Sequence, residues 1–205
     1  MKIKTLQVGE LGTNCYLVSD GNGITAVIDP GDDFETICDA LTGLNPTTIL
    51  LTHGHFDHTG AVNALKRKYG CEVVISALDE EMLDDDTKNA AFLMNMTTTP
   101  IKAEKLVNDG DTVEVGDLKF EVISTAGHTK GSVTYKIEDK LFTGDTLFRG
   151  TVGRCDLYGG NPARIIASLQ KLSELEGDYE VFAGHDRKTT LDYERQTNHY
   201  LRTKR

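Results

Sequence analysis

The stretch that decides the reading is Thr48-Ile49-Leu50-Leu51-Thr52-His53-Gly54-His55-Phe56-Asp57-His58. An apolar run with β propensity stops abruptly, and four side chains of metal-ligand type crowd into the next six positions. Three other runs end in the same way: Phe120 to Ser124 leads into Gly127-His128, Leu141-Phe142 into Gly144-Asp145, and Val181-Phe182 into Gly184-His185. Ligands sit beyond the carboxyl ends of strands in open sheets, and neighbouring glycines let the backbone bend so that a side chain can face an ion. Any one histidine reads more simply as a surface or packed residue. Five of the 6 histidines of the chain at equivalent strand ends do not. His199, inside the last helical pattern, keeps the plain reading.

Imidazole and carboxylate donors without cysteine suit zinc, iron or manganese. His53, His55, Asp57, His58, His128, Asp145 and His185 are too many for one tetrahedral ion. They divide between two divalent ions if a carboxylate is shared and solvent completes each shell.

Outward from this cluster, the first thirty residues alternate as strands, Ile3 to Val8, Cys15 to Val18 and Ile24 to Ile28, with glycine-rich turns between. A helix is expected from Phe34 to about Leu44, a strand from Thr47 to Thr52, a helix from Thr59 to Tyr69 closed by Gly70, and a strand from Glu72 to Ser76. Residues 77 to 100 read as two short helices and a loop. Strands follow at Lys105 to Val107, Thr112 to Val115, Leu118 to Ser124, Ser132 to Ile137 and Lys140 to Phe142. Asn161-Pro162 is an N-cap followed by a first-turn proline, opening a helix with Ile165, Ile166, Leu169, Leu172 and Leu175 on one face. Tyr179 to Phe182 reads as the last strand, and Thr189 to about Lys204 as the last helix.

With 205 residues, 39% of them hydrophobic, the expectation is one α/β domain over 1–205 with many strands and no linker or repeat. No run approaches the roughly 18 to 20 apolar residues of a membrane span, and the start lacks a signal-type apolar core. Cys15, Cys38, Cys71 and Cys155 form no C-x-x-C pair and read as reduced thiols, which fits a cytoplasmic protein. Acids outnumber bases 32 to 22, a balance of −10 that makes nucleic acid a poor partner and points to a small-molecule substrate. Near the cluster, however, lie Lys130, Arg149, Arg154, Arg187 and Lys188, with Tyr158 in the same glycine-rich loop. Arg149, Arg154 and Tyr158 are candidates to grip an anionic substrate; the plain alternative is surface bases paired with nearby carboxylates.

T-H-G-H-F-D-H at 52 to 58, A-G-H-T-K-G-S at 126 to 132, F-T-G-D-T-L-F at 142 to 148 and A-G-H at 183 to 185 resemble the metallo-β-lactamase superfamily over nearly the whole chain. T-N-C-Y-L-V at 13 to 18, V-I-D-P-G at 27 to 31 and G-D-T-L-F-R-G-T-V-G-R at 144 to 154 are most similar to short glyoxalase II-like hydrolases, the hydroxyacylglutathione hydrolase type. The resemblance implies an αββα sandwich of two mixed sheets flanked by helices. It also implies a ligand division: His53, His55 and His128 for one ion, Asp57, His58 and His185 for the other, Asp145 between them. The implied activity is thioester hydrolysis by a metal-bridging hydroxide, which ion binding makes available near neutral pH, with Asp57 and Asp145 as ligands that also orient it.

Three departures refine this expectation. Zinc β-lactamases usually carry cysteine where Asp145 stands, which speaks against antibiotic hydrolysis. Typical glyoxalase II enzymes continue into a helical domain that touches glutathione, whereas 20 residues follow His185 here, which puts a glutathione thioester in doubt. The Gly-His-Gly-Pro of many relatives is Gly184-His185-Asp186-Arg187. Sulfur dioxygenases, with a single Fe(II) on two His and one Asp, are also similar through Gly153-Arg154-Cys155-Asp156, so a persulfide dioxygenase is the alternative activity.

Overall fold

The computed structural model describes residues 1–202. The chain opens with β1 (Lys2–Val8), β2 (Thr13–Ser19) and β3 (Ile24–Ile28), then α1 (Phe34–Ala40), β4 (Asn45–Leu50), α2 (Phe56–Thr59), α3 (Val62–Tyr69), β5 (Glu72–Ser76) and β6 (Lys105–Val107). The second half runs β7 (Thr112–Val115), β8 (Leu118–Ser124), β9 (Val133–Ile137), β10 (Lys140–Gly144), β11 (Leu147–Phe148), β12 (Thr151–Val152), α4 (Pro162–Ser173), β13 (Glu180–Ala183), β14 (Thr189–Thr190) and α5 (Leu191–Thr197).

Each half builds one six-stranded sheet. The first has the order β1-β2-β3-β4-β5-β6, antiparallel at β1-β2-β3 and parallel from β3 to β6. The second has the order β14-β13-β10-β9-β8-β7, in which only β10 and β13 run parallel. Successive side chains of a strand point to opposite faces, and β4 shows the consequence. Leu50 enters the core between the sheets with Tyr16, Ile28, Phe120, Tyr135 and Phe142. Ile49 and Leu51 turn outward onto Val62 and Leu65 of α3 and Ile37 of α1. On the far side, Leu169 and Leu172 of α4 and Leu191 of α5 cover Leu141 and Val181. Both faces of the central strands are therefore buried between helices, giving the expected αββα sandwich of two mixed sheets. Leu169 is fully buried, and truncating such a leucine to alanine costs about 2–5 kcal/mol.

Several boundaries differ from the sequence reading. The helix expected from Thr59 to Tyr69 starts only at Val62, and Thr59 ends the separate α2; the two stay apart because Ala61 N donates to the Pro30 carbonyl at 3.0 Å instead of continuing a helical ladder through 57. The two backbones meet so closely that a Cβ on Gly31 would lie 1.7 Å from the Asp57 carbonyl oxygen. This contact locks α2, with Asp57 and His58, onto the end of β3. α1 ends at Ala40 rather than near Leu44; Leu41 N folds back onto the Ile37 and Cys38 carbonyls, and Gly43 takes φ 79° to reverse the chain. Asn161 caps α4 as expected, its side chain accepting from Ala163 N and Arg164 N. The two helices of 77–100 are single 3₁₀ turns, Glu80–Met82 and Ala91–Met94. The β11-β12 hairpin was not anticipated, and α5 stops at Thr197 with Asn198 extended; Lys204 of the expected helix lies outside the described residues. All four cysteines are free, and no described helix is long and apolar enough to cross a membrane.

Candidate metal centre

The four strand ends converge on one rim. β4 delivers His53 and His55, α2 Asp57 and His58, the turn after β8 His128, β10 Asp145 and β13 His185. Three overlapping groups have donor atoms within 4.8 Å of one another: His53, His55 and His128; His53, His58 and Asp145; Asp57, His58 and His185. All seven residues expected to be ligands are thus gathered, and Asp145 lies between the two histidine sets. Its Oδ1 is 3.4 Å from His58 Nε2, while its Oδ2 is 3.5 Å from His128 Nε2 and 3.6 Å from His185 Nε2.

What makes this a cation site is which nitrogens are already committed. Asp29 Oδ2 accepts from Thr52 Oγ1 at 2.6 Å, so the Thr52 hydroxyl proton is spent and its oxygen accepts from His53 Nδ1 at 3.1 Å. The same Asp29 oxygen accepts from His58 Nδ1 at 3.0 Å. The Arg154 carbonyl accepts from His128 Nδ1 at 2.6 Å, and the Leu11 carbonyl from His185 Nδ1 at 3.2 Å. A neutral imidazole that donates through Nδ1 presents a lone pair at Nε2. With the imidazoles neutral, four Nε2 lone pairs, that of His128 already 2.9 Å from His55 Nδ1, and the oxygens of Asp57 and Asp145 point at one another. The Nε2 atoms of His53, His55 and His58 and Asp145 Oδ1 are buried without any hydrogen-bond partner, a state that costs about 1–3 kcal/mol per group unless something satisfies it. Backbone and carboxylate partners behind ligating imidazoles are the usual outer support of a metal site.

The electrostatics make the same demand. Burial alone would lower the pKa of His58, but the carboxylates of Asp57, Asp145 and Asp29 outweigh it and push the group well above its ordinary value. Burial and then the crowd of neighbouring imidazoles hold His53 well below the usual range, and burial followed by His128 brings His55 down to about 3. Asp57 is held at about 2 by His58 and His185 despite burial. The pocket favours positive charge among its lone pairs but disfavours supplying it as protons on His53 and His55. Divalent ions fit that donor set. Gly184 also leaves room for Asp145: a Cβ there would lie 2.2 Å from Asp145 Oδ1.

Two further carboxylates were missed in the sequence. Asp29, in V-I-D-P-G, looked like a turn acid; its φ of 50° and 1% exposure put it beneath the centre, fixing His53 and His58. Asp79 heads an acidic run in the stretch expected to be short helices and a loop, yet it is fully buried. It accepts from Gly54 N at 3.3 Å, Thr129 Oγ1 at 2.6 Å and Gly131 N at 2.7 Å, tying the His53 and His128 loops together. Asp29 ends the apolar run Ile24 to Ile28 just as the candidate ligands end theirs, which marks its place in the sequence but not its role as a support behind His53 and His58.

The residues expected to grip an anion are placed differently from one another. Arg154 forms a two-pronged pair with Asp156 at 2.7 and 2.8 Å, and its carbonyl positions His128. Tyr158 donates to Glu81 at 3.0 Å and stands under Lys130, itself paired with Glu81. Lys188 pairs with Glu180 at 2.6 Å. Arg149 stacks on Tyr193, its Cζ 4.8 Å from the ring centroid. An apolar cleft of about 450 Å³ opens beside Asp57, lined among others by Leu11, Phe56, Met94 and Met96.

Comparison with known proteins agrees with this geometry. The chain is 32% identical to the hydroxyacylglutathione hydrolase GloC of Haemophilus influenzae over 100% of both chains. Among solved structures it is similar to a protein described as the B3 metallo-beta-lactamase BLEG-1, with TM-score 0.95, 33% identity and coverage of 98% of this chain and 100% of that one. It is also similar to TTHA1623 in a di-iron-bound form (TM-score 0.87, 36% identity, 97% and 100% covered) and to ETHE1 from Myxococcus xanthus (0.79, 30%, 97% and 84%). Residues 8–185 match the metallo-beta-lactamase superfamily, and the chain belongs to that family.

Proposed function

We propose that this protein is a binuclear metal-dependent thioester hydrolase of glyoxalase II type acting on a small anionic thioester. The observation that carries the reading is the convergence of four Nε2 lone pairs on two carboxylates, each imidazole fixed from behind. His53, His55 and His128 would hold one ion, Asp57, His58 and His185 the second, and Asp145 would lie between them, its carboxylate within 3.6 Å of His128 on one side and of His58 and His185 on the other. Such ions, zinc, iron or manganese, activate water near neutral pH and polarise a carbonyl. The likeness to GloC supports the thioester class.

The chain's own groups do the rest. Thr13 Oγ1 donates to Asp57 Oδ2 at 3.2 Å and the Leu11 carbonyl steadies His185, so the hairpin between β1 and β2 braces one side of the site. Asp57 and Asp145 orient water through their remaining lone pairs. Leu11, Phe56, Met94 and Met96 keep bulk water from the uncharged arm of the substrate. A thiolate leaves without a strong general acid, and no buried donor is needed for it.

The test is a panel assayed without oxygen on protein of measured metal content: S-lactoylglutathione first, then other thioesters, oxygen esters and a β-lactam, the last because of the likeness to BLEG-1. Thioester cleavage above the rest supports the proposal; preferred β-lactam or ester cleavage refutes it. A second reading, a persulfide dioxygenase using a single iron, fits the likeness to ETHE1. Oxygen consumption with glutathione persulfide, and no thioester cleavage, would establish that reading instead.

A further inference from the structure

Around the metal centre basic side chains are largely neutralised: Arg154 by Asp156, Lys88 and Lys130 by Glu81, Lys188 by Glu180. Arg149 and Arg187 are different. Among the described residues neither guanidinium takes part in a salt bridge, in a chain of net charge −10. Both line one open cleft of about 620 Å³, together with Gln7, Gly150, Asp186 and Tyr193. The carboxylate of Asp186 is the one opposing charge on its wall.

The cleft is built from inside. Arg149 sits in the turn of the β11-β12 hairpin beside Gly150, whose φ is 74°. Gly150 N donates to Glu194 Oε2 at 2.8 Å, and Glu194 is fully buried. That carboxylate also accepts from Asn198 Nδ2 at 2.8 Å and Thr189 Oγ1 at 2.6 Å, and Asn198 Nδ2 reaches the Thr151 carbonyl at 3.1 Å. The buried acid that meets the hairpin is thus used on its backbone, and both guanidinium groups stay without a carboxylate partner. The same helix, α5, presents the Tyr193 face on which Arg149 lies, which fixes a planar, fork-shaped donor before any ligand arrives. The other wall is continuous with the metal centre. Arg187 follows His185 by two residues, the Phe148 ring is 6.1 Å from the His185 ring, and the Asp186 carbonyl is held by Asn14 Nδ2 at 2.8 Å.

We propose that this cleft is the subsite for a remote anionic group of the substrate, a carboxylate or a phosphate, with Arg149 and Arg187 as its two donors. Glu194 and Tyr193 act as positioning residues. The inference rests on the thioesterase reading and specifies its substrate: a thioester whose uncharged arm lies along Leu11 and Met96 and whose charged arm extends past His185.

The test compares kcat and KM of the metal-loaded protein and its Arg149→Ala/Arg187→Ala variant on three thioesters that differ only in a terminal carboxylate, phosphate or carboxamide. Whichever anion the wild type prefers identifies the ligand. The variant is expected to lose about 10-fold to 100-fold of the preference for anion over carboxamide, through KM rather than kcat. Arg149→Lys, which keeps the charge but not the stacked fork, should fall between. An unchanged preference in the double variant overturns the proposal. If no thioester is cleaved, the thioesterase reading fails, and the subsite is then decided by calorimetry with inorganic phosphate. Affinity weakened about 10-fold or more in the double variant supports it, and equal affinity overturns it.

Discussion

Replacing Asp29 with asparagine should weaken the second metal position although Asp29 is no ligand. Asparagine is isosteric and tolerates the φ of 50° found there, so the backbone has no reason to move. One amide oxygen can still accept from Thr52 N, as Asp29 Oδ1 does at 2.8 Å. The NH₂ group then faces Thr52 Oγ1, 2.6 Å away, whose hydroxyl can turn to accept, and His58 Nδ1, 3.0 Å away, where two donors would meet. His58 escapes by moving its proton to Nε2, the nitrogen that must bind an ion. The loss at His58 is one charge-assisted hydrogen bond plus the wrong tautomer, about 1.5–3 kcal/mol, which is roughly 10-fold to 150-fold in affinity. The range agrees with what outer-shell changes around metal-bound histidine do, about 10-fold to 100-fold. Competition against a chelator of known affinity would give two stepwise constants, and the nitrogen shifts of the His58 ring would report its tautomer. Two unchanged constants, or an unchanged Nδ1-protonated His58, would refute the tautomer argument.

Stripping the metal with a chelator should lower the melting temperature, because the converging lone pairs and carboxylates are left facing one another. At free metal about 100 times Kd the stabilisation lost is about 2.7 kcal/mol, or roughly 5–10 °C in a chain of this size, read by calorimetry with and without chelator. Gly184→Ala places a Cβ 2.2 Å from Asp145 Oδ1 and 2.8 Å from His58 Cε1, so metal analysis should find the ion between them displaced while far-UV circular dichroism stays native. Glu81→Gln should speed hydrogen exchange in residues 79–88 by cutting the ties to Lys130, Lys88 and Tyr158. Those partners lower the Glu81 pKa from 4.5 to about 2, so the wild-type tie is fully present above 4.5 and is lost as pH falls on toward 2, whereas the variant lacks it throughout.

Much of the site was legible because ligands cluster at strand ends, and strand ends show in sequence as apolar runs that stop. His53 to His58 are local and could not be missed. His128, Asp145 and His185 needed only the same rule applied three more times. What stayed hidden depends on contacts between distant segments. Asp29 and Asp79 acquire their roles from Thr52, His58, Thr129 and Gly131, which lie more than twenty residues away in every case. The break in the helix after Thr59 comes from the Pro30-Gly31 turn pressing on it, a contact that no helical periodicity records. The β11-β12 hairpin has two-residue strands held through Glu194, too short for any alternation to show.

The central claim, that two ions act together, is tested most directly by titrating metal into stripped protein and following thioester turnover at each equivalent. The account predicts turnover that rises to a plateau at two equivalents per chain, and a His185→Ala variant that binds one ion and does not turn over. A plateau at one equivalent, or full activity in His185→Ala, would contradict it.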